Sequence, residues 1–442
     1  MIRRRNPAVL FLCGVFAATL CAENLQAQSV SRKRIPGISA QDAALHKLLV
    51  QAKAAADKQD YATAQTDYEE YLTQKPDDAS AHFDLGYVYT AVQQKEKAEA
   101  EYRKAIALNP KMTEAYLNLG VSLLSSDPKG ACVPLEKVTQ LNYSYARGHY
   151  LLGAARERSG QLDAAIEQFT VAEKLDPNDL ETHLALGRTF LSSDNSAARA
   201  EAEFHEALKL DANNANAHWG LAESLAAQTK RADAAAELAV YLAEKPNDSG
   251  ARLMRASLLI DLDRYDEALA ELDQVAKAGP ESLEALKLRS LIYFREKEYE
   301  EAAAILQKAE TMAPQDAEIH SRLGHVLLQL KNYAGAAREL SEAFCLDTKS
   351  TETLRDLVAA EYLNQNYPAA LAAMDDLEKR EAPKPGAWFV RATCYDRMGQ
   401  TAAALAAYQK FLSLNADETS NEYFEAAARA RFLDRVLKDK EK

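Results

Sequence analysis

The chain has 442 residues, a formal net charge of −13 and 27% charged side chains. That acidic balance argues against general nucleic-acid binding, which needs a basic footprint. Abundant Ala with few Gly and Pro argues against disorder, and a fixed hydrophobic period replaces the several globular domains that this length could hold.

Arg3, Arg4 and Arg5 precede a short apolar run, Ala8–Ala22. Leu20-Cys21-Ala22 or Leu25-Gln26-Ala27 reads as a cleavage site, so residues 1–27 are expected to be an export signal. The run falls short of the ~20 residues that span a bilayer. Residues 28–38, with Arg32, Lys33, Arg34, Pro36 and Gly37, read as a flexible leader.

From Ser39 a helical pattern continues to the C-terminus, and Ala79–Met112 shows its unit. Two amphipathic stretches, helix A and helix B, flank a short polar turn, and Pro110 ends the second. Tyr89, Tyr102, Ala105 and Leu108 fall at helical spacing on the faces expected to meet. The unit recurs at 45–78, 79–112, 113–145, 146–179, 180–214 and 215–248, then at 249–282, 283–316, 317–350, 351–384 and 385–418. Where helix A crosses its own helix B, close approach needs a small side chain. Helix A supplies Ala52, Gly86, Gly120, Gly153, Gly187, Ala222, Ala256, Ser290, Gly324, Val358 and Ala392. Helix B supplies Ala every time: Ala64, Ala98, Ala131, Ala165, Ala200, Ala234, Ala268, Ala302, Ala336, Ala370 and Ala404. Four residues later on the same face comes a large filler such as Tyr68, Tyr102, Phe169, Phe204, Leu238 or Tyr408.

Two repeats depart from the template. Pro134 inside the third helix B is expected to shorten or kink it, because it removes a hydrogen bond and clashes with the preceding turn. Val358 and the stretch Glu381–Pro385 mark a slightly splayed joint in the tenth. Residues 419–442 read as a capping helix and tail. Phe424, Ala427, Ala428, Phe432, Val436 and Leu437 form its apolar stripe, and the outer face is expected to be wet.

This period, with its large residue, L-G, Y, A, F/Y, A and P, resembles the tetratricopeptide repeat family. The resemblance implies an all-α fold over residues 39–418: a right-handed α-solenoid of about eleven helix-turn-helix repeats whose A helices line a concave groove.

No catalytic or metal-binding set, and no cofactor, is expected. His82, His149, His183, His218 and His320 stand at position four of their repeats, where the family places Trp or another bulky residue, so a packing role accounts for them. His320 and His325 are five apart, unlike the i, i+4 pair of a zinc helix. Cys132, Cys345 and Cys394 are scattered, read as buried small residues and form no disulfide framework. No phosphate loop, nucleophile elbow or CxxC pair appears.

The family's inward positions read Phe83, Tyr87, Leu117, Val121, Tyr150, Leu184, Trp219 and Leu253 in the first part, an apolar lining. Further on they become more basic: Lys287, Phe294, Arg295, Arg322, His325 and Arg355. Aromatics and Arg are the types enriched at binding hot spots. The family's carboxylate clamp is absent, since Lys287 is followed by Leu291 where Asn is required. The lining suits an extended or helical apolar segment with some acidic residues. The expected function is a non-catalytic protein–protein scaffold or adaptor in the bacterial cell envelope. It would be periplasmic, outer-membrane-associated or secreted, with no nucleic acid and no span after signal cleavage. The alternatives are a self-assembling structural repeat protein and an accessory subunit that presents substrate to an envelope enzyme.

Overall fold

The computed structural model describes residues 40–440 apart from 194, 195, 415, 416 and 418. The expected export signal and leader lie outside the described residues. Among them every regular element is a helix, and none is long and apolar enough to cross a membrane. The described residues divide into two compact units, with the boundary between Ser126 and Asp127.

The first unit contains α1 (Ala40–Asp57), α2 (Tyr61–Gln74), α3 (Ala79–Ala91), α4 (Lys95–Leu108) and α5 (Thr113–Leu123). The second opens with α6 (Pro128–Leu141) and continues as antiparallel pairs. They are α7 (Ala146–Arg158) with α8 (Leu162–Leu175), α9 (Leu180–Ser192) with α10 (Ala197–Leu210), and α11 (Ala215–Ala227) with α12 (Arg231–Glu244). Then come α13 (Ser249–Asp261) with α14 (Tyr265–Ala278), α15 (Leu283–Arg295) with α16 (Tyr299–Met312), and α17 (Ala317–Gln329) with α18 (Tyr333–Leu346). The last are α19 (Thr351–Leu363) with α20 (Tyr367–Glu378), α21 (Pro385–Arg397) with α22 (Thr401–Leu414), and α23 (Asn421–Lys440). Within each unit every helix packs on its sequence neighbours, and A helices of successive repeats also touch, as α1 does α3 and α17 does α19. Each unit is thus a two-layer all-α solenoid.

The small-and-large code explains the pairing. All eleven helix B alanines are at most 1% exposed. The fillers Tyr68, Tyr102, Phe169, Phe204, Leu238 and Tyr408 are buried beside them. It is the filler that demands the glycine of helix A: a Cβ on Gly86 would stand 2.7 Å from the Tyr102 ring, and one on Gly187 2.7 Å from Phe204.

The turn between paired helices has a second code. Gln59, Gln93, Thr229, Asp263, Lys297, Lys331 and Gln365 have φ of 56–66°, and Gly160 and Gly399 occupy the same place. In all nine, the next residue's N–H donates five residues back into helix A, as Gln94 does to the Tyr89 carbonyl at 2.8 Å and Lys230 to Leu225 at 2.9 Å. This Schellman-type closure satisfies the end of helix A and reverses the chain. Several helix starts are capped by side chains, Asp78, Asp248 and Asp316 among them.

Four expectations need correcting. The third helix B is not shortened: α6 keeps 14 residues with Pro134 buried inside it, since one lost hydrogen bond leaves the rest of the ladder intact. Leu108 is 43% exposed at the last residue of α4, and its counterparts Leu141, Leu175 and Leu210 at the ends of α6, α8 and α10 are exposed too, so this position faces away from the crossing. Cys345 is exposed, whereas Cys132 and Cys394 are buried, and all three thiols are free. On α23 the packed residues are Ala426, Ala430 and Leu433, while Phe424 is 61% and Phe432 47% exposed. The bulky Tyr408 and Phe411 of α22 share that cluster and favour small residues opposite, so propinquity rather than hydrophobicity sets the rotation of α23.

The tenth repeat does differ. Its helix B, α20, has 12 residues against 14 in its counterparts, and Val358 is half-buried against the core shared by α16, α17 and α18. The stretch that follows is tied down. Arg355 donates to Glu381 and Arg380 to the Thr348 carbonyl, and Pro385 starts α21.

Candidate partner-binding surface

In the first unit Phe83 and Tyr87 lie on α3 and Leu117 and Val121 on α5. Phe83 tilts against the Tyr102 ring at 5.9 Å and is half-buried, whereas Tyr87 is 41% exposed. Leu117 and Val121 are half-buried. This is an aromatic-led surface on the A layer, rigidly backed by helix B.

In the second unit Tyr150, Trp219 and Leu253 are half-buried on α7, α11 and α13. Tyr150 rests on Phe169 at 5.7 Å, with the Arg147 guanidinium over its ring, and burial pushes its hydroxyl pKa up. Trp219 tilts against Tyr241 at 5.3 Å. Leu184 is instead 8% exposed inside the core, so it contributes packing and almost no surface.

The basic stretch is not free positive charge. Lys287 Nζ reaches Asp316, the cap of α17, at 2.8 Å and Glu318 of the next repeat at 2.5 Å. Arg322 pairs with Glu318 at 2.6 Å, and Arg355 with Glu381. His325 Nδ1 lies 2.8 Å from Asp356, a bond that raises its pKa, while its ring stands edge-on to Phe294 at 5.2 Å. Arg295 is exposed. Lys287 and His325 thus link consecutive A helices, Arg322 pairs within α17 and Arg355 with the loop after α20, so most of the positive charge in this stretch already meets carboxylates of the chain itself.

The five position-four histidines share another arrangement. In each, one ring nitrogen meets the carbonyl of the preceding inter-repeat turn and the other a side chain of helix B. His82 meets Pro76 O and Glu101, His149 meets Tyr143 O and Gln168, and His183 meets Pro177 O and Glu203. His218 meets Ala212 O and Glu237, and His320 meets Pro314 O and Glu339. Arg252 replaces His in the seventh repeat and spans Pro246 O and Glu271. Three elements are thereby stapled by one planar cation or ring. The Glu203 bond holds His183 protonated, its pKa pushed up to about 9 against the pull of burial. At His320 burial lowers the pKa, but the Glu339 and Pro314 bonds raise it more. The helix B partners were missed in the sequence, although a Glu or Gln 19 or 20 residues after each histidine was there to be read.

The stacked pairs, the small-and-large crossings and the open A-layer face define a helical-repeat scaffold that presents an extended surface. The tetratricopeptide repeat model matches residues 49–113, 135–179, 184–249, 253–317 and 356–421, and a second model of the same description matches 293–360. The chain belongs to the tetratricopeptide repeat family. No curated protein matches it. Among solved structures it is similar to YrrB, described as a TPR protein with an unusual peptide-binding site, at 21% identity over 42% of this chain and 95% of that one, with a TM-score of 0.39. It is also similar to MamA from Desulfovibrio magneticus RS-1 (22% identity, 40% and 99% covered, TM-score 0.37). A third similarity is to yeast Tom70 (15%, 90% and 97%, TM-score 0.36).

Proposed function

We propose that the chain is a non-catalytic scaffold that binds an apolar, aromatic-tolerant segment of another protein on its A-helix layer and so supports assembly of a complex in the bacterial cell envelope. The observation that carries this reading is the exposure of Tyr87 beside half-buried Phe83, Leu117 and Val121. These apolar side chains lie on a layer where Lys287, Arg322, His325 and Arg355 are already paired within the chain. Aromatic anchors on a rigid backing lose little conformational freedom on binding. The envelope location rests on the basic, then apolar, sequence of residues 1–27.

The test is site-specific photo-crosslinking in cells that export the chain. A crosslinker at Tyr87 or Trp219 is expected to capture a discrete partner, whereas one at the outer-layer Val240 of α12 is not. Equal capture at all three positions, or capture of a second copy of the chain alone, sinks the reading; the latter result favours self-assembly.

A further inference from the structure

Two of the five histidine joints differ from the rest. Eight residues beyond the helix B alanine, the repeat preceding His183 carries Glu173 and the repeat preceding His320 carries Glu310. The same place before His82, His149 and His218 holds Leu72, Thr139 and Leu208. In the folded chain these carboxylates reach the histidine of the next repeat. Nδ1 of His183 and one oxygen each from Glu173 and Glu203 lie within 4.8 Å of one another, and His320, Glu310 and Glu339 reproduce the arrangement.

Two further features point to a ligand. First, Nε2 of each imidazole is pinned at 3.0 Å to a backbone carbonyl, of Pro177 and Pro314 respectively. That is the outer-shell contact that orients metal-ligating histidines and raises their basicity, and it aims Nδ1 at the carboxylates. Second, a proton on Nδ1 serves only one of the two acids. It bridges to Glu203 or Glu339 at 2.8 Å, while Glu173 and Glu310 make no hydrogen bond or ion pair among the described residues.

We propose that these triads are two copies of a divalent transition-metal site of the zinc class that fastens one repeat to the next. One imidazole nitrogen and two carboxylate oxygens are a ligand set that Zn²⁺ takes, with a fourth position left for water. The imidazole argues against Mg²⁺ or Ca²⁺, which take oxygen. Bonds of about 2.0–2.2 Å place neighbouring ligand atoms about 3.3 Å apart, so modest rotation of the glutamates closes the cluster. The metal replaces the Nδ1 proton, which is released. The copies are not equal: Arg338 already donates to Glu339 Oε1 at 2.7 Å, so the His183 site is the tighter.

The experiment uses the full chain, stripped with chelator and titrated calorimetrically with ZnCl₂, with Co²⁺ absorption reporting tetrahedral coordination. Two equivalents are expected in the wild type. Glu173→Gln and Glu310→Gln each remove one, or weaken it at least about tenfold, and the double variant loses both along with the zinc-induced rise in Tm. These carboxamides keep side-chain size and leave both His–Glu bonds in place, and circular dichroism confirms folding. Zinc binding that is unchanged in the double variant, taken up by exposed histidines such as His46 and His205, overturns the proposal. So does a wild type that binds no zinc saturably.

Discussion

Phe204 of α10 is clasped between two glycines, and the clasp makes a sharp prediction. Gly187 lies on its own partner helix α9, and Gly220 on α11 of the next repeat. A Cβ at Gly220 would meet three Phe204 ring carbons at 2.1, 2.3 and 2.6 Å. Phe204 is 3% exposed and cannot retreat into Gly187, whose own Cβ would stand 2.7 Å from the same ring. Replacing a mid-helix Gly by Ala ordinarily stabilises by about 0.5–1 kcal/mol through backbone entropy. Overpacking a filled core costs about 1–3 kcal/mol, and contacts this short belong at the upper end. Gly220→Ala should therefore lose about 1–2 kcal/mol. Gly386→Ala, near the start of α21 with nothing within 4 Å, should gain the propensity term instead. A long repeat array need not unfold in one step, so the assay is local: hydrogen exchange of the α10 and α11 amides. Protection there should fall about 5- to 30-fold in Gly220→Ala, at 1.4 kcal/mol per decade. Much of the loss should be recovered when Phe204→Leu is added. Unchanged or increased protection in Gly220→Ala would show that the crossing tolerates a methyl group and would refute the clasp.

Three further expectations follow from the same structure. Thr229 is β-branched yet sits at φ 61°, so Thr229→Gly should stabilise the α11–α12 turn by about 0.5–1 kcal/mol, read as slower exchange there; faster exchange would contradict it. Leu433→Ala should cost about 2–5 kcal/mol in the melting of α22 and α23, whereas Phe424→Ser and Phe432→Ser should each stay within about 0.5 kcal/mol, and the reverse order would restore the other face of α23 as the packed one. His325 has a pKa raised by its bond to Asp356, so that bond stabilises fully below the ordinary histidine value and fades as pH rises through the raised one. The Tm difference between wild type and His325→Gln should accordingly be larger at about pH 5.5 than at about pH 9, and a difference independent of pH would count against the bond.

The sequence by itself determined the all-α repeat fold. A helix pair that crosses at one point needs a small residue and a filler at fixed spacing, and Ala98 with Tyr102 or Ala200 with Phe204 state that need within a few residues of chain. Such signals are local, so periodicity exposes them. What only the tertiary structure decided lies between repeats. Whether Lys287 faces solvent or Glu318, 31 residues on, depends on the stagger of one pair against the next, which no short-range pattern records. The same stagger sends Leu184 into the core while Tyr87 stays open, and brings Glu173 to His183. It also left the turn code hidden: the left-handed position is usually announced by Gly, but here seven of nine carry Gln, Lys, Asp or Thr, held there by the closure of helix A. For α23 the amphipathic stripe named Phe424 and Phe432, yet bulky Tyr408 and Phe411 opposite it admit Ala426 and Ala430. Close approach, a property of two surfaces together, outweighed the hydrophobicity of one.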